Sequence, residues 1–263
     1  MPWTFAHPAL ILPLKNVFPK QIYFLGLIVG SIVPDLGYYM GLWSLSSFAH
    51  TLRGLICICL PLGLFTIYVL RVFGPYIAIL FPDPHRTAFL RSIKINCRLD
   101  IKTFGILLVA ILLGSLSHLL WDSFTHAGGT IVMSSEFLRS EVIQVGSLHI
   151  YGYTLMQHLS SIVGTSILCL AYYFWLKKND LTLFAYNPDD GWRYKVIFGQ
   201  LIVAIIISLP ISYFHVQRFF GAKAVSAFVV DFAFVITPIY FFLLALSALY
   251  LQIRKIFLSK LYD

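Results

Sequence analysis

Three metal-competent side chains, His118, Asp122 and His126, stand four residues apart at the end of an otherwise apolar stretch, Gly114-Ser-Leu-Ser-His118-Leu-Leu-Trp-Asp122-Ser-Phe-Thr-His126. On a helix, residues four apart lie one above the other, so this spacing directs all three into one small volume. An ionised carboxylate is costly in hydrocarbon unless it is paired, hydrated or bound to a cation, and two imidazoles beside it point toward a cation. The plainer reading is a His/Asp hydrogen-bonded pair that caps a helix at the membrane surface.

The elements that must position these groups follow from composition. The chain has 263 residues, of which 59% are hydrophobic and only 11% charged, and a mean hydropathy of +0.84. That excludes a soluble globular domain and predicts an all-α, polytopic integral membrane bundle. Stretches long enough to cross a bilayer fall at about 22–42, 54–73, 103–122, 154–176, 195–214 and 225–250. Residues 4–18 are too short for an independent span and are expected to pair with the next helix as an N-terminal hairpin, which makes six to seven spans. With no repeat, low-complexity tract or soluble module, the expectation is one domain over 1–263, with the chemistry in 1–170 and the C-terminal helices in 195–250.

Cys57, Cys59 and Cys169 lie in apolar runs and Cys97 in a basic loop, which does not resemble a disulfide framework. The first residues lack a basic leader and already contain His7 and prolines, so they are expected to remain in the mature protein. If successive loops alternate sides, one side collects 15 of the 19 lysines and arginines, and the other receives Arg53, Arg139, Arg218 and Lys223. The positive-inside rule puts the first set, and the C-terminus with it, in the cytoplasm. The net charge of +8 is then a matter of topology and anionic lipid, and no nucleic-acid partner is expected.

The same topology sorts the histidines. His50, His118, His126, His149, His158 and His215 all fall toward the non-cytoplasmic side, and only His85 falls in the basic loop. His7 and Asp35 join them if 4–18 and 22–36 fold back about Pro19-Lys20-Gln21, since each is about 14 residues, or roughly 21 Å of helix, from that turn. Pro34 is expected to break the helix where Asp35 must be presented. Plainer roles exist for each: His7 as an N-terminal cap, Asp35 paired with Arg53, His50 as an interfacial imidazole, His158 bonded to a neighbouring helix. His149, His215, Glu136 and Glu141 read as solvated loop or span-end groups, and Asp231 as a supporting partner or a counter-ion to Arg218.

Five blocks, Trp3-Thr-Phe-Ala-His7-Pro-Ala, Val33-Pro-Asp35, Ala49-His50-Thr-Leu-Arg-Gly, Leu116-Ser-His118-Leu-Leu-Trp-Asp122-Ser-Phe-Thr-His126 and Gln157-His158-Leu-Ser-Ser161, resemble those of an uncharacterised bacterial membrane family. That family is a domain of unknown function (number 4184) related to the membrane-bound, metal-dependent, LexA-binding-type putative hydrolases. The ligand order is also similar, more distantly, to that of the all-helical zinc phospholipase C and single-strand nucleases, which hold three zinc ions. That likeness implies one ion on His50, His118 and Asp122, another on His7 and Asp35, and the remnant of a third site at His126 and His158. Ile162 stands where those enzymes carry a glutamate after their histidine, and the N-terminus begins six residues before His7, so two ions are the safer transfer.

Imidazole with carboxylate suits Zn²⁺, with Mn²⁺ or Fe²⁺ as alternatives, and few protein ligands per ion leave room for water and substrate. The expectation is a metal-dependent hydrolase at the non-cytoplasmic face of a bacterial inner membrane. It would act on a phosphoester of a lipid or lipid-linked substrate entering sideways from the bilayer, with Asp35 as bridging ligand and water-orienting catalytic group. The alternatives are a proton- or cation-coupled transporter and a non-catalytic metal-binding scaffold; no second copy of the Pro34-Asp35 break supports the transporter.

Overall fold

A computed structural model describes residues 3–18, 20–93, 100–145, 148–181, 190–217 and 222–262. The described chain is helical except for one two-stranded hairpin, and five of its helices are long and apolar enough to span a membrane. They cover Leu52–Leu80, Ile101–Ser134, Gly152–Lys178, Gly191–Val216 and Ala227–Arg254. A sixth is the bent pair Ile22–Gly30 and Val33–Tyr39, broken by 42°. These coincide with the six apolar stretches read from the sequence, and the protein is a multi-pass, all-α membrane bundle. Residues 4–18 add no seventh span: Pro8 and Pro13 divide them into 3₁₀ turns around one short helix, α1 (Pro8–Ile11).

Two compact units make up the described chain, one from residues 1–68 with 95–175 and the other from 69–94 with 176–263. The first holds every candidate ligand. At its centre α2 (Gln21–Gly30) packs on α8 (Ile101–Thr125), whose buried positions Leu107, Ala110, Ile111, Gly114, Ser115, His118 and Asp122 recur at helical spacing. Asp100 starts α8 by accepting a bond from the Thr103 N–H at 2.7 Å, which holds its own carboxyl below the usual range. Gly30 and Gly114 let the two backbones nearly touch. A Cβ on Gly114 would stand 2.3 Å from the Leu27 carbonyl oxygen, and one on Gly30 would stand 2.2 Å from that of Ile111.

After α2 the chain turns through Val33–Asp35 into α3 (Leu36–Tyr39), α4 (Trp43–Ala49) and α5 (Leu52–Gly54). A single π-helical segment, Leu55–Cys59, precedes α6 (Leu60–Ile77). Pro61, which has no N–H to offer the preceding turn, lies just beyond that widened stretch. Beyond α8 come the short helices α9 (Thr130–Ser134) and α10 (Glu136–Arg139), then the antiparallel strands β1 (Glu141–Val145) and β2 (Leu148–Tyr151), which pair Gln144 with His149. The sequence reading treated this stretch only as an outer loop. Helix α11 (Gly152–Lys178) follows, and Gly164 packs against Ala6.

The second unit contains α7 (His85–Ile93), α12 (Gly191–Val216) and α13 (Ala222–Tyr262). Leu80, Leu244 and Ala248 form its buried cluster, with Val196, Ile197 and Tyr240 packed around them. Asp190 binds it polarly: it accepts the Asp83 N–H at 2.8 Å and pairs with Arg193, which also donates to the Ile79 carbonyl at 2.9 Å. Asp83 is in turn held below the usual carboxylate range against the cost of its partial burial, by bonds from Thr87 and Arg86.

Candidate metal centre

The site begins with a proline. Pro34 has no N–H for the Gly30 carbonyl, and the Asp35 N–H turns to Ile32 at 3.1 Å, so the carbonyls of Gly30 and Ser31 lose their helical partners. Helix α8 supplies replacements: Ser115 Oγ donates to Gly30 at 3.0 Å, and His118 Nδ1 donates to Ser31 at 2.8 Å. That second bond fixes the His118 tautomer and leaves the Nε2 lone pair facing inward. His50 arrives the same way. It caps α4, and its Nδ1 bonds the Ser46 carbonyl at 2.7 Å, so its Nε2 is free to face His118.

Four atoms then converge. His50 Nε2 is 3.3 Å from His118 Nε2, 3.3 Å from Asp35 Oδ1 and 3.4 Å from Asp122 Oδ2. His118 Nε2 is 3.5 Å from Asp35 Oδ1 and 3.3 Å from Asp122 Oδ2. In a regular tetrahedron, edges of 3.3–3.5 Å put the centre about 2.0–2.1 Å from each corner, the bond length of Zn²⁺ to imidazole nitrogen and carboxylate oxygen, so the two imidazoles have ligand spacing to each other and to each carboxylate. The second oxygens of the two carboxylates differ. Asp35 Oδ2 accepts from Thr4 Oγ1 at 2.6 Å, whereas Asp122 Oδ1 looks toward His126 Nδ1 at 3.3 Å and His7 Nε2 at 3.8 Å.

His7 is 2% exposed and stacks on His118 with ring centroids 3.9 Å apart. Neither of its ring nitrogens has a hydrogen-bond partner, and the same is true of Asp35 Oδ1 and Asp122 Oδ1. Each buried group left so costs about 1–3 kcal/mol, more when charged, and these all cluster around one small volume.

A cavity opens beside the cluster. A cavity of about 630 Å³ is bounded by Tyr38, His50, Asp122, Ser123, His126 and Gly128 through Ile131, and by the apolar Leu52, Leu116, Leu119 and Leu120. Leu52, Leu116 and Leu120 are themselves exposed. The wall is therefore polar toward the cluster and greasy toward the helix flank.

Of the residues singled out in the sequence, His7, Asp35, His50, His118 and Asp122 come together, and His126 stands at their edge. His158 does not: it is exposed on α11 and belongs to neither group of converging ligands among the described residues. The separate sets expected, His50/His118/Asp122 and His7/Asp35, merge, because His118 lies in both groups and Asp35 reaches His50 and His118 directly. Asp35 is fully buried, away from the cavity wall, and Thr4 takes its second oxygen. The carboxylate on the cavity wall is that of Asp122, whereas Asp35, expected to bridge and to orient water, meets His50 and His118 through Oδ1 from the buried side.

Elsewhere His149 pairs with Glu141 at 2.9 Å across the hairpin, and Asp231 meets His215 at 3.1 Å; Arg218 lies outside the described residues. The sequence reading assigned no role to Thr4, Tyr39, Ser46 or Ser115. Thr4 stands in the block beside His7, and Ser115 in the stretch that runs from Gly114 to His126.

The chain belongs to the family described as Domain of unknown function (DUF4184), whose model matches residues 1–249. No curated protein and no solved structure matches it.

Proposed function

We propose that this member of the family binds a divalent cation, best Zn²⁺, through His50, His118, Asp35 and Asp122, and that it is a hydrolase of a lipid or lipid-linked phosphoester. One observation carries the metal: the inter-ligand distances of 3.3–3.5 Å. Charge-assisted N–H···O bonds between imidazolium and carboxylate settle near 2.7–2.9 Å. A purely hydrogen-bonded His/Asp cluster would draw closer, while ligands around a shared ion stand apart by about this much. Mn²⁺ and Fe²⁺ suit the same donors.

When bound, the ion would polarise a phosphoryl oxygen and make a water nucleophilic near neutral pH. The chain's own part is to orient. Asp122 can accept a proton from an attacking water through the oxygen that faces His126, and His126, about a third exposed, can relay that proton or return it to the leaving oxygen. Leu52, Leu116 and Leu120 would keep an acyl chain in hydrocarbon while its headgroup enters beside Asp122.

The test is a panel of phospholipids and isoprenoid phosphates assayed with zinc-loaded protein in detergent and proteoliposomes. Asp122→Asn should lower turnover by about 10²-fold or more, since an amide is no base. Inactivity on every substrate, with metal-linked ion flux in the same liposomes, would favour a transporter instead.

The basic-residue split of 15 to 4 supports an outward-facing site in the cytoplasmic membrane. In a cysteine-free background, a reagent unable to cross the membrane should label Ser134→Cys in intact cells and leave Lys102→Cys untouched. The opposite pattern would turn the site to the cytoplasm.

A further inference from the structure

We propose that the Thr4 hydroxyl is a positioning group of this centre: it holds Asp35 with one oxygen toward the ligand cluster and the other turned away. The inference rests on the metal reading above and adds to it how one ligand is kept monodentate. Thr4 is 2% exposed, and its Oγ1 lies 2.6 Å from Asp35 Oδ2, the length of a hydroxyl bound to an ionised carboxylate. A hydroxyl has one proton and could give it elsewhere, but Tyr39 donates to the same oxygen at 2.9 Å and occupies a lone pair. The Thr4 proton is thereby committed to Asp35. With Oδ2 engaged, Asp35 offers only Oδ1 to the space between His50 and His118.

The strand of chain that carries Thr4 is itself held. The Trp3 N–H donates to Ser161 Oγ at 2.9 Å, and Ser161 Oγ donates to the Gln157 carbonyl at 2.8 Å. The Gln157-His158-Leu-Ser-Ser161 block therefore serves the centre through Ser161, which anchors the residue before Thr4, while His158 faces away from the cluster. Residues at 3–4, 35, 39 and 157–161 are thus tied together by hydrogen bonds on either side of the Trp3–Thr4 peptide link, and the last of these bonds falls on the Asp35 oxygen turned away from the cluster.

Zinc affinity of the full chain in detergent, measured by competition with a chromophoric chelator, reads this role. The visible spectrum of the Co²⁺-substituted protein reads the coordination number. Thr4→Val keeps the shape and removes the hydroxyl; it should weaken zinc binding about 10–100-fold, while Thr4→Ser stays within about threefold of wild type. The Co²⁺ bands of Thr4→Val should lose intensity as Asp35 becomes free to coordinate through both oxygens. Should Thr4→Val fail to fold, Tyr39→Phe is the second probe, and it should weaken binding in the same direction by a smaller factor. Unchanged affinity and spectrum in Thr4→Val, with metal lost in His118→Ala, would overturn the positioning role and leave the metal centre standing. Equal losses in Thr4→Val and Thr4→Ser would overturn it too, since packing would then be the cause. A wild type that takes up neither Zn²⁺ nor Co²⁺ would remove both proposals.

Discussion

His118→Ala and Asp122→Ala are expected to abolish stoichiometric zinc binding, with a loss of affinity beyond the roughly 10–100-fold that follows removal of an outer hydrogen-bond partner. Each variant takes away one of the four proposed ligands, and His118→Ala also leaves the Ser31 carbonyl without its 2.8 Å donor. Both positions are buried, so some stability will go with the metal. His50→Ala is the cleaner third variant: its ring is a fifth exposed, and the Ser46 carbonyl it releases still accepts the His50 backbone N–H at 3.1 Å. His158→Ala should change nothing, because that side chain stands outside both ligand groups. Metal analysis of protein purified without chelators, together with melting temperature before and after zinc removal, reads all four variants. Bound zinc stabilises the folded state in proportion to the logarithm of its concentration over Kd, so the melting temperature of the wild type should rise with added zinc and that of His118→Ala should not. Equal zinc in every variant, or none in the wild type, would sink the metal reading.

The second large effect is expected from a residue that touches no ligand. Gly114→Val should destabilise the first unit by about 3 kcal/mol or more, because the new Cβ would stand 2.3 Å from the Leu27 carbonyl oxygen of α2 and 2.8 Å from the Ser31 nitrogen that follows it, and backbone cannot rotate aside. Helix α2 must retreat from α8, and the Ser31 carbonyl and the Asp35 turn retreat with it. Metal affinity should therefore fall along with thermal stability although all four ligands are present. Gly105→Ala is the control on the same helix: a Cβ there meets nothing within 4 Å, and alanine favours helix by about 1 kcal/mol over glycine. Wild-type melting and zinc uptake in Gly114→Val would mean that the α2–α8 approach does not position the site.

Gly30 and Gly114 mark where the sequence stops being sufficient. Composition and the lengths of the apolar runs determine an all-α membrane bundle, since runs of about 20 apolar residues satisfy the backbone in hydrocarbon as helices, whereas barrel strands are about half that length and alternate in polarity. The six stretches read from the sequence are the spans observed, the second and third extending further and the first bent at Pro34 as its missing N–H requires. The spacing of His118 and Asp122 puts both on one helix face whatever packs against it. The return of His7 and Asp35 to a common level also follows from counting residues about a turn.

Tertiary structure decided what each of those groups meets. Periodicity marks glycines 30 and 114 as ordinary apolar positions, but only the crossing of two particular helices makes them a contact. That contact offers the carbonyls freed by Pro34 to Ser115 and His118. The difference in setting between Asp35 and Asp122 has the same origin. Both are carboxylates in apolar stretches of sequence, and their settings differ because Thr4, brought by a separate segment, covers one oxygen of Asp35, while Asp122 emerges where α8 reaches the cavity wall. His158 and Ser161 lie three residues apart, on neighbouring positions of α11, so spacing alone does not say which of them meets the N-terminal segment; the packing of α11 gives that contact to Ser161. Residue type and spacing along one element are local properties carried by the sequence; a ligand's second oxygen and a helix's inward face are set by contacts between elements far apart in the chain.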